Sequence, residues 1–173
     1  MNIIDFLDKG GLIVYILVSL NIIGFGVIAI AVFNLFTFRK NMPTIADEIF
    51  IKVQNNHDDL IEMMVQTEIK KLEVGLNTIK IIATISPLLG LLGTVIGIFL
   101  SFEEISKVGL DNPAAFSSGI SLALITTVVG LIVSIPHYIF YNYFIGILDN
   151  SELSLKSEVL KKIWEYNETK RTT

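Results

Sequence analysis

Three stretches of this chain, residues 10–38, 81–102 and 112–148, contain no aspartate, glutamate, lysine or arginine. A hydrocarbon core of about 30 Å takes roughly 20 apolar residues in helical form, and each stretch reaches that length. Backbone amides left unpaired in lipid cost several kcal/mol each, so such segments cross as helices, which satisfy their own hydrogen bonds. Hydrophobic residues make up 52% of the 173-residue chain and its mean hydropathy is +0.65, both too high for an ordinary soluble domain. The expected fold class is an all-α integral membrane protein, one domain over 1–173, with spans at about 11–37, 81–102 and 116–144. The third stretch is too long to lie wholly in lipid, so part of it is expected to emerge as a helix with apolar partners.

The leader MNIIDFLDK carries two acids and one lysine, its apolar run is too long for a signal peptide, and no small-x-small site follows. The first stretch is therefore expected to stay as an anchor. Orientation follows from lysine and arginine, which resist translocation. Of the 13 such residues, only Lys9 and Lys107 lie outside the segment 39–80 and the tail after Leu148. The amino terminus is expected outside, with the 39–80 segment and the carboxyl terminus in the cytoplasm. A net charge of −4 and the lack of a basic cluster argue against nucleic acid. Cysteine is absent, which excludes disulfides and thiolate metal sites, and no catalytic, metal-ligating or cofactor-binding constellation is read.

Outside the spans the pattern stays helical. Pro43 suits a first helical position, and Ile45, Ile49 and Val53 recur every four residues, predicting a separate helix at about 44–54. Asn55, Asn56, His57 and Asp58 read as a turn. Beyond it Ile61, Val65, Ile69, Leu72, Leu76 and Ile79 alternate in steps of four and three, predicting a helix over 59–80 with one apolar face. Only Gly75, at about 1 kcal/mol, interrupts the way into the second span, so one helix of roughly 65 Å is expected over 59–102. Leu148, Leu155, Val159, Ile163 and Tyr166 predict a like face over 145–167. The second and third spans would thus extend into the cytoplasm as a paired helical stalk.

The spans are unusual in what they hold. Pro87, Gly90, Thr94, Gly97 and Ser101 fall along one helical stripe, with Gly93 beside it, and Ala123, Thr127, Gly130 and Ser134 form another, followed by Pro136. Small residues let backbones approach, and hydroxyls in lipid need protein or water partners. A hydroxyl both donates and accepts, so it can hold a water or a carboxylate without bearing charge. Proline frees a carbonyl that can join a polar path. His137 is the one histidine of the three stretches, which makes it a candidate relay, although a place beside Pro136 also suits an interfacial histidine. With no acid in the spans, either nothing is moved or a partner supplies the ionisable group. Glu103, Glu104 and Asp111 are expected to rim the outer mouth.

The strings GLLGTVIGIF and ALITTVVGLIVSIP, the second followed by YN, resemble the second and third spans of the MotA/TolQ/ExbB proton-channel family, in its three-span ExbB and TolQ branch. The motif-level likeness covers about residues 80–145. It implies a pentamer around the membrane helices of an ExbD- or TolR-like single-span partner, whose aspartate carries the proton, with a TonB- or TolA-like protein beyond. It also assigns Thr94 and Thr127 to the proton pathway. Thr126, turned about 100° from Thr127 and off that stripe, is a further candidate for the pathway. Where many members read GIAEAL, this chain reads GISLAL, with Leu122 in place of the glutamate. The segment from Arg39 to Lys80 is short for the family. A non-enzymatic subunit of a motor driven by the proton motive force is the expected function, ExbB-like in energising outer-membrane transport or TolQ-like in envelope integrity. A passive membrane scaffold is the contrasting expectation.

Overall fold

A computed structural model of the chain describes residues 9–53, 58–109 and 113–172, all but a few of them helical. The helices are α1 (Gly11–Val53), α2 (Asp58–Leu72), α3 (Leu76–Val108) and α4 (Pro113–Thr172). Three of them, α1, α3 and α4, are long and apolar enough to cross a membrane, so the all-α, three-span architecture stands. Asn55, Asn56 and His57 of the expected turn, Asp111 of the expected rim and the acids of the leader lie outside the described residues.

Two boundaries differ from expectation. The 44–54 segment is not a separate helix, because α1 runs through Pro43 without a break. Proline there removes one intrahelical hydrogen bond. Against that loss stands a row of buried residues, Ala31, Leu35 and Phe38 before it and Ala46, Ile49 and Val53 after it, bridged by half-buried Met42, whose three- and four-residue steps keep one face on the core. The second difference is at Gly75. The helix expected over 59–102 is two helices, parted by a turn at Glu73–Gly75 in which the Leu76 amide donates to the Glu73 carbonyl at 3.0 Å. Gly75 sits at φ 92°, a conformation open to glycine and strained for other residues. Leu72 and Leu76 stay buried on either side, so the turn keeps the apolar stripe in register.

By packing, the chain falls into two compact units. One compact unit comprises Met1–Val27 and Thr78–Tyr141, the other Ile28–Asn77 and Asn142–Thr173. In the first, Val14 and Leu17 of α1 meet Ile82 of α3 and Ile125, Val129 and Val133 of α4, with Ile13, Val18, Leu20 and Leu89 against them.

In the second unit, the buried row of α1 is matched by Ile61, Val65, Ile69 and Leu72 of α2 and by Phe144, Leu148, Ser151, Leu155 and Val159 of α4. Each row advances in steps of three and four, the pattern that seats side chains between those of a neighbouring helix. Tyr166 meets the Phe50 ring edge-on at 5.7 Å. Two ion pairs lie at the margin, Lys156 with Glu62 at 3.0 Å and Lys162 with Asp47 at 2.6 Å. Such exposed pairs contribute little, because solvent and salt screen them. The hydrogen bond to Asp47 holds Lys162 above the ordinary lysine range. Its contribution is therefore complete below that range and is lost only as pH rises beyond it, so it is constant around neutrality.

A glycine seam and a threonine pair as the candidate functional site

Within the first unit, the two small-residue stripes face each other. α3 and α4 run antiparallel, so each step up one helix is answered by a step down the other. A Cβ added at Gly90 would lie 2.9 Å from the Thr126 carbonyl oxygen and 3.4 Å from the Gly130 Cα. At Gly97 it would lie 2.4 Å from the Gly119 carbonyl oxygen and 2.7 Å from the Ala123 amide nitrogen, and at Gly130, 2.7 Å from the Ser86 carbonyl oxygen. These are backbone atoms and cannot turn aside, so this approach admits only glycine at those positions. Gly93 is filled instead by the Thr126 side chain, 2.3 Å from where a Cβ would stand.

Polar groups stitch the seam at intervals. Near one end, the Ser134 hydroxyl donates to the Ala83 carbonyl at 2.6 Å. That carbonyl is the one Pro87 leaves free, since proline has no N–H to give four residues back. Toward the other end, the Ser101 hydroxyl lies 3.0 Å from the Gly97 carbonyl and 2.9 Å from that of Phe116. Pro136 is half-buried on α4.

Between them stands the pair Thr94 and Thr127, with hydroxyl oxygens 2.5 Å apart. Each side chain also lies near the other's carbonyl four residues back. The Thr94 hydroxyl is 3.2 Å from the Ala123 carbonyl as well as 3.2 Å from its own Gly90 carbonyl, and the Thr127 hydroxyl is 3.4 Å from the Gly90 carbonyl. Two hydroxyl hydrogens serve this set. One must lie between the oxygens, and the other goes to a carbonyl. The distances favour Thr127 donating to Thr94 and Thr94 donating to a carbonyl, because the reverse order leaves Thr127 a long bond of 3.4 Å. Both threonines are only half-buried, so the pair opens on a face of the unit.

Thr126 differs in kind. It is fully buried and its hydroxyl lies 2.9 Å and 3.0 Å from the Leu122 and Ala123 carbonyls of its own helix, a local bond common for membrane threonines. Its whole side chain, hydroxyl oxygen and methyl alike, fills the space at Gly93. His137 stands apart from the pair as well: it is fully buried, its Nδ1 lies 2.7 Å from the Val133 carbonyl, and its ring packs on Gly24 and Phe25 of α1. Leu122 lines a separate cavity of about 370 Å³ with Lys9, Leu100, Glu104, Ser118 and Gly119. Glu103 and Glu104 both pair with Lys107, at 2.7 Å and 3.7 Å. The hydrogen bond that Lys107 donates to the Glu103 carboxylate is the main cause holding its ammonium above its ordinary range.

Sequence reasoning missed Ser86, Gly119 and Gly24. Ser86 and Gly119 extend the two small-residue stripes by one step each, a signal present in the spacing. Gly24 has no such signal, since one glycine in an apolar helix carries no period.

Helices that bury glycine against glycine around a hydroxyl pair, in stretches without aspartate, glutamate, lysine or arginine, define a tightly packed membrane protein. The family model of the MotA/TolQ/ExbB proton channel family matches residues 30–157, and the chain belongs to that family, on its ExbB/TolQ branch. It is similar to a biopolymer transport protein ExbB homologue of Methanothermobacter thermautotrophicus, 40% identical over 63% of this chain and 38% of that one. The biopolymer transport protein ExbB of Aquifex aeolicus is 37% identical over 57% of this chain and 66% of its own length. The Tol-Pal system protein TolQ of Pseudomonas aeruginosa is 38% identical over 49% and 36%. The chain spans less than two thirds of the length of each of these relatives.

Proposed function

We propose that this chain is the channel and stator subunit of an inner-membrane motor that uses the proton motive force, with Thr94 and Thr127 at its proton path. In this reading copies assemble as a ring, five by family likeness, around an ExbD- or TolR-like helix whose aspartate carries the proton. The amino terminus is periplasmic and the carboxyl terminus cytoplasmic. A TonB-like protein takes the output in an ExbB-like role. The likeness to TolQ of Pseudomonas aeruginosa supports a second reading, envelope integrity through a TolA-like protein.

The observation that carries the proposal is the half-exposed Thr94–Thr127 pair at a depth where the chain has no carboxylate of its own. A hydroxyl pair there can receive a partner's carboxylate in either protonation state, donating to the anion and accepting from the acid. The remaining seam residues, Pro87, Gly90, Gly93, Gly97, Ser101, Ala123, Gly130, Ser134 and Pro136, hold the two helices at that spacing.

Thr94→Val and Thr127→Val keep shape and remove the hydroxyl. A hydrogen bond to a charged group is worth about 1.5–3 kcal/mol, so proton flux through liposomes bearing this chain and its single-span partner should fall roughly ten- to a hundredfold. Thr94→Ser and Thr127→Ser should retain most of it, and Thr126→Val should be less affected than either. Wild-type flux in both valine variants, with assembly intact, would remove the threonines from the path. No flux even with a partner bearing a membrane aspartate would favour the passive scaffold.

A further inference from the structure

His137 is fully buried, and its Nε2 has no hydrogen-bond partner. The Nδ1 lies 2.7 Å from the Val133 carbonyl. A carbonyl only accepts, so Nδ1 carries the hydrogen and, in the neutral ring, Nε2 presents an unused lone pair. That lone pair points at α1. A Cβ added at Gly24 would fall 2.0 Å from Nε2 and 2.6 Å from Cδ2, and the Phe25 ring tilts against the imidazole at 5.0 Å between centroids. The ring is thus pressed onto bare backbone by a neighbour that must be glycine.

We infer that His137 is a proton-sensitive latch joining α1 to α4 within the first unit. Neutral, the ring fits a dry site, its one N–H satisfied and its other nitrogen against Gly24. Protonated, it gains a second N–H and a full charge with no acceptor in reach. Burying an unpaired charge is costly, so the imidazolium must leave Gly24 and the contact between the helices opens. The surroundings offer no counter-charge. α1 brings only the phenol of Tyr15 over 10–38; α3 brings Lys80, its ammonium 5.7 Å from the centre of the Tyr141 ring; α4 itself carries the phenols Tyr138 and Tyr141. The latch is closed at high pH and released as pH falls. The inference rests on packing alone, independent of the motor reading.

The chain has no cysteine, which permits clean labelling. Ile22 and Ile139 are 68% and 62% exposed; Ile22→Cys and Ile139→Cys, spin-labelled and diluted with unlabelled chain in lipid nanodiscs, report the α1–α4 distance by pulsed electron resonance. His57→Gln leaves His137 as the sole histidine, so ¹⁵N chemical shifts read its protonation over about pH 8 to 5, the range in which histidine changes charge. Expected is a narrow distance at the upper end, lengthening or broadening at the lower end with the midpoint of the ring's own titration. His137→Phe should hold the narrow distance throughout, and Gly24→Ala should show the long one at both ends. Should His137→Phe fail to fold, the shared midpoint in the wild-type ring still decides. A ring that titrates with no change in distance overturns the latch. So does a ring that stays neutral at pH 5 with the distance unchanged, or a His137→Phe variant that lengthens as the parent does.

Discussion

Ser134→Ala tests whether the hydroxyl across the seam substitutes for the amide that Pro87 lacks. In the parent, the Ala83 carbonyl has Ser134 as its donor at 2.6 Å, and both residues are buried. Removing one partner so that a buried acceptor is orphaned costs about 1–3 kcal/mol, while interhelical bonds in membrane proteins average nearer 0.6 kcal/mol with a ceiling of about 1.7. The second range usually wins because the unfolded chain in lipid finds other donors. Here no backbone amide is available to that carbonyl, so a loss of about 1–1.7 kcal/mol is expected, close to tenfold in the unfolding constant.

Pro87→Ala should change the outcome. It returns an N–H to the helix in register with the Ala83 carbonyl, and Ser134→Ala in that background should cost less than about 0.5 kcal/mol. Equilibrium unfolding of the parent, both single variants and the double variant in mixed micelles gives the coupling, expected at about 1 kcal/mol. Equal costs of Ser134→Ala with and without Pro87 would refute the reasoning.

Gly97→Ala should destabilise the first unit by forcing α3 and α4 apart, because its Cβ would meet the Gly119 carbonyl oxygen at 2.4 Å, whereas Gly26→Ala, with nothing within 4 Å, should be neutral or up to about 1 kcal/mol stabilising; thermal unfolding in detergent separates them, and similar losses would show that the close approach is unimportant. In the second unit, Leu155→Asp and Leu72→Asp place a charge at positions 0% and 7% exposed and should cost several kcal/mol, with Lys70→Asp mild; protease resistance of purified protein is the readout, and equal resistance would mean the apolar faces are misassigned.

The membrane helices were legible because charge exclusion over 20 residues has few other causes. The row from Ile61 to Ile79 was legible too, since all six of its residues are buried. Pro43 misled because a local preference for helix starts was overruled by a buried row that continues from Phe38 to Ala46. Gly75 misled in the opposite sense: its cost inside a helix is small, but its freedom at positive φ made a turn available that still returned Leu76 to the core. In the candidate site, a helical wheel placed Thr94 and Thr127 on their stripes without telling which residue of one stripe meets which of the other. That register is set in three dimensions by the glycines. It put Thr126 against Gly93 and His137 over Gly24, contacts that no spacing announces.

The crossed arrangement of Thr94 and Thr127 has a consequence for symmetry. Two side chains, each beside the other's carbonyl, share a near two-fold relation in their heavy atoms, yet a single hydrogen between the oxygens cannot respect it. One sense of donation must be chosen, and reversing it requires only that two hydroxyl hydrogens rotate. Identical copies of this chain can therefore be chemically inequivalent at this point while their backbones superpose. Such a difference is invisible to the positions of carbon and oxygen, and hydrogen-sensitive spectroscopy is the means to read it.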